Sequence, residues 1–269
     1  EWVLVYGDTN STLAGALAAK KLHIKVAHVE AGLRSYNMNM PEEVNRILTD
    51  RISDVLFCPT KAAVDNLTKE GFDNFNCRVK NVGDVMNDAA LFYSDKSKEP
   101  SFNIPDNFAL VTIHRAENTD NELVLREIVA AIDDINKEMP IILPLHPRTK
   151  SKFNQFKIEP RFKFVDPVSY LEMVYLLKNC SIVMTDSGGL QKEAFFFRKP
   201  CITLRDETEW VELLNCGVNY LCPPKSKDAI LESFAIMSKS SLNYSKDLYG
   251  DGNSSRLIIN AMMTYEKRT

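Results

Sequence analysis

Residues 181–197 read SIVMTDSGGLQKEAFFF, an apolar run joined to a helical pattern through a Ser-Gly-Gly turn. Ile182, Val183 and Met184 form the run, Thr185, Asp186, Ser187, Gly188 and Gly189 end it, and Leu190 to Ala194 begin the helix. A strand that enters a helix in this way gathers backbone N–H groups at one point. The positive end of the helix dipole lies behind that point, so it suits a phosphate. Glycines at 188 and 189 let the backbone approach a ligand with no Cβ in the way. Glu193 falls near the helix start, within reach of a sugar hydroxyl beside such a phosphate. The segment by itself also fits an ordinary strand-turn-helix in which Glu193 merely answers the dipole.

Working outward, short apolar runs alternate with helical patterns along the whole chain. Strands are expected at residues 3–7, 26–30, 55–59, 79–82, 109–113, 141–145, 162–165, 182–185, 201–204 and 220–222. Near-continuous apolar strands separated by helices indicate parallel sheet covered on both faces, so the fold class is α/β. Residues 94–105, SDKSKEPSFNIP, are polar, contain two prolines and read as a linker. Four expected strands precede it and six follow. The second part reads as a complete Rossmann-like domain over residues 106–253, and the first, residues 1–93, as half of one. The chain opens on Glu1 and enters an apolar run at Trp2, so the first domain is expected to be incomplete at its N-terminus. A helix over residues 254–266 is expected to cross back to the first domain, bringing residues 254–269 to it. Thr9, Asn10 and Ser11 can cap a helix, and Pro41 suits a first helical position ahead of Glu42 and Glu43.

Composition narrows the function classes. A chain of 269 residues with 45% hydrophobic and 26% charged residues can bury one large core or two ordinary ones. A net charge of −3 gives no footprint for nucleic acid or an anionic membrane. The six cysteines include no CxxC pair and mostly adjoin apolar runs, which reads as buried thiols in a reducing compartment. No signal peptide or membrane-length apolar run is present, so a cytoplasmic location is expected.

Polar residues cluster where expected strands end, the general ligand site of open α/β sheets. These are Gly7-Asp8-Thr9, Glu30 to Arg34, His114-Arg115, His146-Pro147-Arg148 and the 185–189 turn. Asp8, Glu30 and Glu42 supply three carboxylates, which can divide acid and base work when their environments differ. Either Asp8 or Glu42 alone would more simply be a helix cap. His114, Arg115, His146 and Arg148 could face a diphosphate. No HxxxH or His/Cys cluster indicates a metal, and no GxGxxG, P-loop or GxSxG motif indicates NAD, ATP or a serine nucleophile.

Seven motifs in order resemble the non-hydrolysing UDP-N-acetylglucosamine 2-epimerases. They are Gly7-Asp8-Thr9, HVEAGLR at 28–34, PEEVNR at 41–46, HRAEN at 114–118, TDSGGLQKE at 185–193, Leu204-Arg205-Asp206 and Tyr249-Gly250-Asp251-Gly252. The resemblance covers nearly the whole chain. It implies the GT-B fold, two Rossmann-like domains with the active site in their cleft, and a homodimer. It also implies a role in cell-envelope polysaccharide synthesis. The reaction it implies removes the C2 proton of UDP-N-acetylglucosamine and expels UDP. A 2-acetamidoglucal remains, and UDP re-adds to give UDP-N-acetylmannosamine, with no external cofactor. Asp8, Glu30 and Glu42 would then handle protons and His114 the leaving diphosphate. Ser187, Gly188 and Gly189 would bind phosphate and Glu193 the ribose, with Arg34, Arg115, His146, Arg148, Met173 and Arg205 as further substrate contacts.

Two stretches depart from the pattern. Thr208-Glu209-Trp210-Val211-Glu212 stands where many relatives have Thr-Glu-Arg-Pro-Glu, and Met173 where an aromatic often packs near the uracil. Relatives also act on uronic or deoxy amino sugars, so a modified UDP-amino sugar is an alternative substrate. A GT-B glycosyltransferase using a UDP-sugar donor and a non-catalytic UDP-sugar-binding fragment are the competing functions. The three carboxylates and HVEAGLR favour the epimerase.

Overall fold

Parallel strands buried along nearly their whole length form the centre of both sheets of the computed structural model, which describes residues 1–244 and 248–265. The chain divides into two compact units, Glu1–Leu91 with Asp247–Thr269, and Phe92–Lys246. Unit 1 holds β1 (Trp2–Tyr6), β2 (Lys25–Val29), β3 (Val55–Cys58) and β4 (Arg78–Asn81), in the order β1-β2-β3-β4. Every pairing is parallel. Its helices are α1 (Asn10–Lys21), α2 (Pro41–Ile52) and α3 (Lys61–Lys69), and α4 (Val85–Ser94) leads into the second unit. Thr9 caps α1 by accepting from the Thr12 N–H, and Pro41 occupies the first turn of α2.

Unit 2 holds β5 (Ala109–Thr112), β6 (Ile141–Pro144), β7 (Phe164–Val165), β8 (Ile182–Thr185), β9 (Cys201–Thr203) and β10 (Asn219–Leu221). The order is β10-β9-β8-β5-β6-β7, all parallel. Counted within the unit, this is the doubly wound order 3-2-1-4-5-6 read from the other edge. Its helices are α5 (Ala116–Thr119), α6 (Glu122–Ile135), α7 (Pro147–Phe156), α8 (Tyr170–Asn179), α9 (Gly188–Phe196), α10 (Val211–Asn215) and α11 (Lys227–Lys239).

Alternation along β5 explains how one strand serves two layers. Ala109 and Val111 join a core with Leu125, Ile128 and Ile132 of α6 and Ile230 of α11. Leu110 joins the opposite core, with Leu176 and Leu177 of α8 and Leu190 and Ala194 of α9. Side chains of consecutive strand residues point to opposite faces, so a strand covered on both sides must be apolar throughout. The final helix, α12 (Ser254–Met263), places Ile258 and Ala261 against Ala27, Val29, Val55 and Phe57 in the core of unit 1. It ends three residues earlier than the sequence pattern implies, and Glu266 lies outside the described residues.

The topology fixes where a ligand can enter unit 2. β5 and β8 are neighbours, yet the chain leaves β5 toward β6 on one side and leaves β8 toward β9 on the other. Connections diverging from adjacent strands open a crevice at the carboxyl ends, and such a switch point is the general binding site of this architecture. Among the described residues no helix is long and apolar enough to cross a membrane.

Truncating a residue that β5 buries tests the packing. Leu110→Ala is expected to lower the stability of unit 2 by about 2–5 kcal/mol, the range for emptying a leucine site in a core. Leu123→Ala, on an α6 position that is 75% exposed, is expected to stay within about 0.5 kcal/mol of the parent. Urea midpoints followed by circular dichroism distinguish the two, and equal midpoints would refute the two-layer assignment.

Candidate active site

The crevice of unit 2 is held open by a buried aspartate. Asp186 follows β8 and is fully buried. Its carboxylate accepts from the His114 N–H (2.9 and 3.1 Å), the Arg115 N–H (2.9 Å) and Asn118 Nδ2 (3.2 Å). These donors come from the turn after β5 and from α5, so one side chain ties the two diverging strand ends together. The Thr112 and Thr185 hydroxyls, 2.6 Å apart, add a second tie. Asn118 also donates to the Leu204 carbonyl beyond β9 at 2.9 Å.

This framework presents His114. Its Nδ1 lies 3.2 Å from Asp186 Oδ1, and its ring centroid 5.5 Å from that of His146. Burial pushes the imidazole below its ordinary value; Asp186 opposes that, while His146 and Arg115 add to it. His114 is therefore mostly neutral at pH 7 and carries a single N–H.

At the neighbouring strand end Ser187 caps α9, accepting weakly from the Leu190 N–H at 3.5 Å. The Ser187 N–H donates to Thr185 Oγ1 at 2.9 Å. Helix geometry leaves the Gly188 and Gly189 N–H groups without an intrahelical acceptor. Glu193, one turn on, is 7% exposed. The Tyr170 hydroxyl donates to its carboxylate; burial first, and then Glu193, push that phenol up to about 12. Tyr93 meets the Tyr170 ring edge-on at 5.6 Å. A cavity of about 290 Å³ joins these parts, with His114, His146, Met173, Ser187, Gly189 and Glu193 in its wall.

Three arginines expected as substrate contacts are paired with neighbouring side chains. Arg148 does not line this cavity; its guanidinium pairs with Asp120 and donates to Thr119 Oγ1 at 3.0 Å. Arg205 is 2% exposed and gives Nη1 to Glu209 at 3.0 Å. Arg34, in unit 1, has a wholly buried side chain that donates to Asp50, Glu70 and the Leu33 carbonyl. A guanidinium whose donors are taken up in this way ties its neighbours together. Arg115 comes closer to the anion position than these, with Nη2 3.8 Å from where a Gly188 Cβ would stand.

Unit 1 gathers its carboxylates on the turns after β1 and β2 and on α2. Gly7 and Glu30 both have left-handed backbones, φ 63° and 73°, and a Gly7 Cβ would lie 3.3 Å from Glu30 Oε2. A left-handed glutamate is strained by about 1–3 kcal/mol and persists where its surroundings impose it. The Glu30 and Ala31 N–H groups both donate to the Phe57 carbonyl at 3.1 Å. Asp8 accepts from Arg46 Nη2 at 2.5 Å. Glu42, in the first turn of α2, makes no hydrogen bond or ion pair among the described residues. The next residue differs completely. Glu43 is fully buried and accepts from Arg46, the Ser35 N–H and hydroxyl, and the Tyr36 N–H.

Beneath this lies a charge chain that the motifs do not announce. His28 is fully buried, with Nδ1 2.7 Å from Asp50 and Nε2 2.8 Å from the Gly7 carbonyl. A carbonyl and a carboxylate can only accept, so both ring nitrogens donate and His28 is an imidazolium. Burial alone would push it down, but Asp50 and the Gly7 carbonyl lift it above its ordinary value. Burial would likewise raise Asp50, and His28 and Arg34 instead hold it low. Asp50 also accepts from the Gly32 N–H at 3.1 Å. The turns carrying Asp8 and Glu30 thus hang on one ionic chain. Its signal in the sequence is a polar stripe on α2, Glu43, Arg46 and Asp50, at helical spacings of three and four. Among the described residues no group of three or more His, Cys, Asp or Glu could hold a metal ion.

Comparison with known proteins gives one consistent result. The family model described as UDP-N-acetylglucosamine 2-epimerase matches residues 1–263. The UDP-2,3-diacetamido-2,3-dideoxy-D-glucuronate 2-epimerase of Pseudomonas aeruginosa is 53% identical, over 95% of this chain and 73% of its own. The crystal structure of Methanocaldococcus jannaschii UDP-GlcNAc 2-epimerase in complex with UDP-GlcNAc and UDP is 42% identical. It superposes with a TM-score of 0.89, covering 98% of this chain and 76% of its own. The Neisseria meningitidis enzyme bound to UDP-GlcNAc, 31% identical, gives a TM-score of 0.84 over 98% and 76%.

The ionic chain can be tested through its pH signature. Because the folded His28 value is raised, its contribution to stability is fully present below about 6.5, the ordinary imidazole value. It is lost as pH rises through the raised value. The Asp50 contribution runs oppositely, present above about 3.9 and lost as pH falls through its lowered value. Asp50→Asn is expected to destabilise unit 1 by about 3–5 kcal/mol, the cost of breaking a buried pair. It should also move the His28 titration, followed by NMR, downward. An unmoved imidazole would show that Asp50 does not hold that charge.

Proposed function

This chain belongs to the UDP-N-acetylglucosamine 2-epimerase family, and on that premise we propose that it inverts C2 of a UDP-linked 2-acetamido sugar by reversible elimination and re-addition of UDP. The observation that carries the reading is a single cavity bringing Ser187 and Gly189 at the α9 start together with Glu193 and His114. A nucleoside diphosphate asks for that combination: backbone N–H groups for phosphate, a preset carboxylate for ribose hydroxyls, and a proton-bearing group beside the leaving oxygen.

UDP is held by unit 2. The Gly188 and Gly189 N–H groups meet its phosphate, and Glu193, oriented by Tyr170, accepts from the ribose. His114 stabilises the charge that grows on the departing diphosphate. Met173 lies in the same wall and packs against the base. The carboxylates of unit 1 move protons at C2. Asp8 is committed to Arg46 and Glu30 stands over Gly7, so Glu42 is the carboxylate free to exchange its proton. Loss of the C2 proton with expulsion of UDP forms the 2-acetamidoglucal. Return of UDP with protonation on the opposite face gives the epimer, and atoms and charges balance with no cofactor.

The sugar has a second reading. The 53% identity to the P. aeruginosa enzyme exceeds the 43% to the M. jannaschii UDP-N-acetylglucosamine 2-epimerase. That difference favours UDP-2,3-diacetamido-2,3-dideoxyglucuronate over UDP-N-acetylglucosamine. Either sugar uses the same C2 chemistry and the same UDP contacts.

Incubation with each UDP-sugar in heavy water is expected to place deuterium at C2 and to produce the manno epimer of the preferred one, read by proton NMR. No exchange with either sugar would reject the proposal. Glu42→Gln should leave UDP affinity unchanged while exchange falls by about 10²–10⁴, the usual worth of a positioned acid or base. Tyr170→Phe removes a hydrogen bond to a charged group. It should weaken UDP binding by about tenfold, while binding of free pyrophosphate, which has no ribose, stays at the parent value.

A further inference from the structure

The start of α9 already has an anion beside it. A methyl group placed on Gly188 would lie 2.6 Å from Glu209 Oε1 and 3.8 Å from Arg115 Nη2. The other oxygen of that carboxylate, Oε2, pairs with Arg205 Nη1 at 3.0 Å, and the two side chains are only 8% and 1% exposed. Arg205 Nε is buried and has no hydrogen-bond partner among the described residues. A helix N-terminus, two arginines and a buried carboxylate therefore share one point, and the arginine has donor capacity to spare.

The loop that carries Glu209 is bolted to the same helix on both sides. Thr208 Oγ1 donates to Gln191 Oε1 at 2.8 Å, and the Trp210 N–H donates to Thr208 Oγ1 at 3.2 Å. The Trp210 ring lies under Lys192 Nζ, 4.1 Å from its centroid. Gln191 and Lys192 belong to α9, so the backbone on either side of Glu209 is fastened to that helix. Glycine at 188 is what leaves room for the carboxylate, because any β-carbon there would collide with it.

We propose that Glu209 is an internal counter-anion of the α9 terminus, and that a pyrophosphoryl ligand binds by exchanging with it. The proposal rests on reading this terminus as the phosphate site of UDP. In the exchange the phosphate takes the Gly188 position and the Arg205 charge, and the Glu209 carboxylate swings off Gly188 toward water. Glu209 then acts as a positioning residue with two effects. It keeps Arg205 and the N–H groups oriented, and it sets a threshold that favours a doubly charged diphosphate over weaker anions. Like charges cannot share the point at small cost, so a ligand must displace the carboxylate to use it.

Calorimetric titration of the protein with pyrophosphate, UDP and uridine provides the test, on the parent, Glu209→Gln and Glu209→Asp. Removing or withdrawing the carboxylate is expected to tighten pyrophosphate and UDP by about tenfold and to leave uridine unchanged. In Glu209→Gln the buried Arg205 loses its charge partner. Pyrophosphate should therefore raise the melting temperature of that variant more than that of the parent. Should Glu209→Gln fail to fold, Glu209→Asp decides, since it keeps the charge and only shortens the reach. Parent-like or weaker pyrophosphate binding in the folded variants would overturn the exchange. If no form bound UDP yet the variants tightened pyrophosphate, the UDP reading would fall and the exchange would stand. Tight UDP binding insensitive to residue 209 would do the opposite, leaving the UDP site in place and removing the exchange.

Discussion

Everything chemical in unit 2 depends on the Asp186 carboxylate. A buried carboxylate costs several kcal/mol unless donors surround it. Here two backbone N–H groups from the turn after β5 and one amide from α5 do so. The adjacent strands β5 and β8 send their chains in opposite directions, so nothing in the sheet ladder beyond Thr112 and Thr185 holds the two turns together. Asp186 does that, and in doing so fixes His114 by backbone and ring at once. The crevice is a consequence of topology, but its shape is a consequence of one side chain.

Unit 1 solves a similar problem with more charge. The turns after β1 and β2 are left-handed at Gly7, Glu30 and Gly32, and of these the non-glycine Glu30 stores conformational cost. His28, Asp50, Arg34 and Glu70 offset it. His28 holds the Gly7 carbonyl, Asp50 holds the Gly32 N–H, and Glu70 closes the chain on Arg34. A buried ion pair is weak evidence for stability in itself. This one is better understood as a fixture that allows one backbone geometry at the carboxylate-bearing turns. The same logic accounts for the burial of Arg34, whose guanidinium is taken up by the buried Asp50 and the part-exposed Glu70.

Much of this was legible before the structure. The central strands follow from apolar runs, because parallel strands covered on both faces cannot hide their composition; β4, Arg78-Val79-Lys80-Asn81 at a sheet edge, does not share that pattern. The strand-turn-helix at 182–196 was legible because an apolar run, Ser-Gly-Gly and a helical pattern follow one another, and the family resemblance added the epimerase motifs. What stayed hidden was pairing across the fold. Arg148, Arg205 and Arg34 look alike in sequence, as cations after strands, and only the structure shows which carboxylate each one meets. Asp120 and Glu209 are near Arg148 and Arg205 in the structure, while Glu70 is 36 residues from Arg34. Tyr170 was missed for the same reason. It precedes Glu193 by most of a helix and a strand, and no local pattern joins a phenol to a carboxylate at that separation.

The departure at residues 208–212 has a local cause. Lys192 is fully buried on α9 and its ammonium faces the Trp210 ring. Many relatives are described by the pattern Thr-Glu-Arg-Pro-Glu, and an arginine at 210 would set a second cation against Lys192 in a place with little water. Tryptophan offers the lysine the face of an aromatic ring instead, worth up to about 2 kcal/mol where both are desolvated. Valine at 211 then starts α10 in place of proline. The exchange keeps the loop fastened to α9 by a different interaction, and it keeps Glu209 where a carboxylate can oppose Arg205 over Gly188.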